Sequence, residues 1–87
     1  MPIAEEFFKK ACLVDPFHSN TLGNYGIFLL QERRDVELAD RYLARAARAV
    51  RSPKQVKWMK LYAQFLRKYL QDKRTSETWY RKAAMMK

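Results

Sequence analysis

This 87-residue chain contains one cysteine, two glycines, three prolines and one histidine, and each scarcity removes a class of explanation. A lone Cys12 cannot close an internal disulfide, which points to an intracellular chain, cytoplasmic or nuclear, rather than a disulfide scaffold. Two glycines leave no glycine-rich loop to cradle phosphate. With His18 as the only imidazole and no Cys/His cluster at metal spacing, the sequence offers no catalytic residues, no metal site and no cofactor site. No run approaches the roughly 18 apolar residues of a membrane span. No useful stretch alternates with period two, so no strand is expected.

What is present favours helix. Hydrophobic residues make up 48% of the chain and aromatics 14%, enough to exclude a disordered chain, and Ala, Leu, Lys, Arg and Gln are plentiful. The expected class is all-α, as a single domain close to the size at which one core is marginal. The net charge of +9 is unevenly spread. Residues 1–40 hold four basic and seven acidic residues, whereas residues 41–87 hold fourteen basic and two acidic ones. That asymmetry suggests that one end meets a polyanion, an acidic protein or an anionic surface.

The chain also repeats itself. Ala4, Phe8, Ala11 and Pro16 set small, aromatic and small residues on one side of a helix and then a stop. A shift of 35 residues gives Ala39, Leu43 and Ala46, and a further 37 gives Ser76, Tyr80 and Ala83. Each later copy follows a second apolar stripe at offsets 0, 3, 4 and 7: Leu22, Tyr25, Gly26 and Leu29, then Trp58, Leu61, Tyr62 and a final aromatic, Phe65. The pattern predicts five helices over about 3–14, 19–31, 37–50, 54–70 and 76–86. Candidate helix starts are Ser19 or Asn20, Asp35, Ser52 with Pro53 behind it, and Thr75 or Ser76.

These positions resemble the signature of the tetratricopeptide repeat (TPR) family, in which paired helices stack into a solenoid. Leu22, Tyr25, Gly26, Leu29, Ala39, Leu43, Ala46 and Pro53 match one repeat, with Tyr62 departing from a small residue in the next and the extra residues falling near Arg33 and Lys73. The resemblance implies about two and a half repeats in one domain: 3–16 as the second helix of an incomplete repeat, 18–53 and 54–87 as complete ones. It also implies a binding module, not an enzyme, whose first helices line a concave groove for a peptide segment of a protein partner, acidic by the charge balance. Asn20, Asn24, Ile27 and Gln31 would line it from one helix, and Val56, Met59, Lys60, Ala63 and Arg67 from the other. Lys60 and Arg67, two turns apart, could jointly take a carboxylate. The family's chaperone clamp is matched only at Asn24 and Lys60, with Val56 where a lysine is needed. An array that opens and closes mid-pattern is either an excerpt of a longer one or self-associates through its open ends.

A second feature lies on the opposite face of the helix that buries Ala39, Leu43 and Ala46. Arg41, Arg45, Arg48 and Arg51 follow offsets 0, 4, 7 and 10, and Lys54 and Lys57 extend the row. Such a stripe could track phosphates, so the alternative function is an RNA-associated scaffold resembling the half-a-TPR proteins. Trp58, Trp79 and Tyr80 fall on the apolar faces and read as core in preference to base-stacking platforms.

Overall fold

In a computed structural model the described residues are 2–86, with side chains from Glu5 onward, so the packing expected of Ala4 lies outside the described residues. Five helices follow one another in the expected order: α1 (Pro2–Val14), α2 (Ser19–Gln31), α3 (Val36–Arg48), α4 (Lys57–Tyr69) and α5 (Lys73–Met85). A 3₁₀ turn, Pro53–Gln55, precedes α4, and the described residues contain no strand. Pro53 opens that turn and not α4 itself, which starts three residues later than its pattern suggested, and Ser52 makes no side-chain cap bond.

Helix starts are set by side chains that accept backbone N–H groups otherwise left without partners. Asp35 accepts from Leu38 N at 3.0 Å and Asp72 from Thr75 N at 3.1 Å. The bond to Asp72, with help from the Thr75 hydroxyl and Arg74, holds its carboxyl below the usual range. His18, rather than Ser19 or Asn20, caps α2 by accepting from Thr21 N at 3.2 Å. Asp72, rather than Thr75 or Ser76, caps α5, which therefore starts three residues earlier than its pattern suggested. Both turns inside the helix pairs close alike. Arg34 and Gln71 take left-handed backbone angles (φ 53° and 54°), and the next residue's N–H, of Asp35 or Asp72, returns to Leu29 O or Leu66 O at 3.0 Å.

The core runs between the helices without interruption. Leu22, Tyr25, Leu29, Ala39, Leu43 and Ala46 are buried between α2 and α3, and Trp58, Tyr62, Ala63, Phe65, Leu66, Trp79 and Ala83 continue it into α4 and α5. Two approaches are close enough to require glycine. A Cβ on Gly26 would lie 2.7 Å from Leu43 Cγ, and one on Gly23 would fall within 2.6 Å of the Trp58 ring. Cys12 is buried, which pushes its thiol up against the pull of Arg45.

The two helix pairs superimpose in sequence at a shift of 37, which corrects the register read for α4. Tyr25, Gly26, Leu29, Asp35, Ala39, Tyr42 and Ala46 correspond to Tyr62, Ala63, Leu66, Asp72, Ser76, Trp79 and Ala83. Ala63 is thus the small residue of α4, fully buried as Gly26 is, and Tyr62 is no departure from the repeat. Ser76, standing where Ala39 does, satisfies its buried hydroxyl by donating to Ala63 O at 2.7 Å. Tyr42 and Trp79 each meet the preceding tyrosine edge-on, at 4.6 and 5.7 Å between centroids.

Each of those tyrosines also ties its helix to the one before. Tyr62 Oη donates to Asp40 at 2.8 Å, and Tyr25 Oη donates to Glu5 at 3.1 Å. Glu5, buried, is held as well by Arg33. Burial first, then the bond to Glu5, pushes the Tyr25 phenol up to about 12, and burial and Asp40 raise Tyr62 in the same way. A neutral phenol whose folded pKa lies above its unfolded value contributes stability in full below about pH 10 and loses it as pH rises through the folded pKa. Denaturant midpoints should therefore fall between about pH 10 and 12, and Tyr25→Phe should flatten that slope. At neutral pH each Tyr→Phe change should cost about 1–2 kcal/mol, read from the same unfolding curves.

Candidate functional site: two surfaces on opposite helix layers

Helices α2 and α4, the first helices of the two pairs, share a depression of about 180 Å³. Ile27 and Leu30 of α2 face Leu61, Gln64 and Lys68 of α4 across it, with Phe65 and Tyr69 behind. The side chains come together because Leu61, Gln64 and Lys68 occupy offsets 0, 3 and 7 on one helix face. Lys57, one turn before Leu61, lies on that same face rather than extending the arginine row. The floor is apolar and Lys68 stands at the rim, its Nζ 5.5 Å from the Tyr69 ring, while Lys57 Nζ, outside the depression, lies 5.3 Å from the Trp58 ring.

Of the expected groove residues, Ile27 lines this depression, while Asn24 and Gln31 are exposed on α2. Asn20 is half-buried and accepts the Trp58 indole N–H at 2.6 Å, so it braces α4 instead of standing free. Met59 and Ala63 are not groove residues: they are 7% and 0% exposed, because the one-residue register difference in α4 turns them into the core. Lys60 and Arg67 are exposed but line no part of the depression, and Val56 is half-buried at the start of α4. Leu30, Leu61, Gln64, Phe65, Lys68 and Tyr69 were missed. The signal that finds them is the shift of 37 itself, which carries Asn24 to Leu61, Ile27 to Gln64 and Gln31 to Lys68.

The arginine row lies on α3, in the other layer. Arg41, Arg48, Arg51, Lys54 and Lys57 are exposed, but Arg45 is half-buried. It donates to Pro16 O at 3.2 Å and lies 5.1 Å over the Tyr42 ring, so the row is interrupted at its second member. Trp58 and Trp79 are 3% and 9% exposed, in the core as expected, but Tyr80, expected there too, is 37% exposed: the residue of α5 that packs on Tyr62 is Trp79. Arg33 with Glu5 is the one ion pair among the described residues, and α3, α4 and α5 hold none with one another.

Comparison with known proteins agrees with the helix-pair reading. The chain is 35% identical over 69 residues, 79% of its length, to a TPR repeat-containing protein of Dictyostelium discoideum. It is an all-α chain of TPR-like helix pairs. The chain spans 26% of that relative's length. No family model matches it, and no solved structure does. Similarity to a repeat protein of this kind suggests a protein-interaction module, and no helix among the described residues is long and apolar enough to cross a membrane.

Proposed function

We propose that this chain is a TPR-type interaction module, not an enzyme, that holds an extended, acidic segment of a protein partner against the face formed by α2 and α4. The observation that carries the reading is the depression between those helices, apolar at Ile27, Leu30 and Leu61 and edged by Gln64 and Lys68. A few apolar contacts with polar groups around them are what an extended peptide needs for affinity and register. The excess of cations over carboxylates in residues 41–87 supports an acidic partner.

The RNA-scaffold alternative draws on the exposed guanidinium groups of Arg41, Arg48 and Arg51. It has less support, since the tryptophans that would stack bases are buried and Arg45 is engaged within the fold.

The test is a selection of peptides from a random library on the chain, followed by affinity measurement. Peptides rich in Asp and Glu with spaced apolar residues are expected, and Leu61→Asp with Lys68→Glu should weaken them about tenfold or more. Selected peptides whose affinity is unmoved by both changes would mean that another surface binds.

A further inference from the structure

We propose that the trough between α1 and α3, on the opposite layer from the face just described, is a second docking surface for protein. Its occupant is an acidic segment with an apolar side chain at its centre. Two adjoining depressions of about 300 and 420 Å³ share Pro16 and Arg45 and together form the trough. Leu13 and Phe17 contribute apolar wall and are 82% and 70% exposed. Lys9, Arg45, Arg48 and Arg51 supply the charge.

No Asp or Glu lines either depression. Asp15, adjacent in sequence, has its carboxylate turned to the Phe17 N–H, which donates to it at 3.2 Å. Arg45 and Arg48 lie in the last turn of α3, where cations complement the helix dipole. That dipole amounts to roughly half a negative charge, so three guanidinium groups leave most of their charge uncompensated. Arg45 is held by Pro16 O and the Tyr42 ring, so it shapes the trough, and Arg48 and Arg51 beside it are the guanidinium groups that meet the carboxylates.

The apolar wall decides between kinds of polyanion. A phosphate backbone gains nothing from Leu13, whereas a peptide that carries an apolar side chain between carboxylates satisfies wall and arginines together. Phe17 alone could stack on a base, so an oligonucleotide belongs in the test.

The experiment is a titration of the ¹⁵N-labelled chain with a synthetic acidic peptide that carries one Leu and one Phe, and in parallel with an oligouridylate of equal charge. The expected result is that the peptide moves the amide signals of Phe17, Tyr42 and the 45–51 segment. Arg48→Glu with Arg51→Glu should weaken binding by about tenfold and Phe17→Ala by about threefold, while Lys68→Glu leaves these shifts in place. Because the wild-type shifts need no variant, a substitution that disturbs folding does not decide the outcome. Peptide shifts confined to Ile27, Leu61 and Lys68 would overturn the proposal, and so would the absence of binding at millimolar peptide. Tighter binding of the oligouridylate at the trough would overturn it in favour of nucleic acid.

Discussion

Replacing Trp58 with alanine is expected to cost about 3–5 kcal/mol, the usual range for deleting a large buried aromatic. The indole is 3% exposed, rests on the bare backbone of Gly23, and donates to Asn20 Oδ1 at 2.6 Å. It therefore joins α2 to α4 by volume and by a hydrogen bond at once, at the junction between the two helix pairs. Chains of this size have total stabilities of about 4–13 kcal/mol, so the loss takes a large share of the whole. The melting temperature, followed by helical circular dichroism, should fall by about 15 °C or more. A fall of only a few degrees would mean that the ring does not carry the junction.

The complementary change is Gly23→Ala, and its sign should depend on Trp58. Alanine is favoured over glycine in a helix by about 1 kcal/mol, yet its methyl would have to occupy the space of the ring. The clash is with the body of a buried indole and not with the end of a flexible chain, so overpacking of about 1–3 kcal/mol wins or nearly cancels the gain in the native background. With Trp58→Ala already in place the ring is gone and only the helix preference remains. There Gly23→Ala should stabilise by up to about 1 kcal/mol. A double-mutant cycle in denaturant measures the reversal, and additive effects would show that the two residues do not touch.

The parts of this fold that were legible in the sequence are those fixed by local rules. The number, order and near-ends of the helices follow from offsets such as Leu22, Tyr25, Gly26 and Leu29 and from Asp35 as a cap. The register of α4 was not legible by the same means. In KWMKLYAQFL so many residues are apolar that the 0, 3, 4, 7 template fits two frames a residue apart, one through Leu61 and one through Ala63. Packing decides between them, since only the frame with Ala63 puts a small residue where the neighbouring helix comes closest. Tyr62 and its partner Asp40 were invisible for a related reason: a tie between residues 22 apart obeys no helical period. The site inherited the same ambiguity. One residue of slip moves Met59 and Ala63 into the core and brings Leu61, Gln64 and Lys68 to the surface depression.

The turns inside the pairs and the connection between them differ in slack. Asp35 and Asp72 each close one helix with the backbone and open the next with the side chain, so neither inner turn can change length without breaking both ends. Residues 49–56, between α3 and α4, carry only the short 3₁₀ turn, and the two residues by which the repeat lengthens from 35 to 37 lie there and not near Arg33 and Lys73, where the repeat pattern had put them, because the two inner turns are of equal length. Because one core runs through both pairs, a longer or shorter link at that point has to be absorbed by the contacts that cross the junction, Trp58 on Gly23 and Asn20 and Tyr62 on Asp40. The angle between successive pairs, and with it the width of whatever the array encloses, is thus held by those contacts and not by the connection.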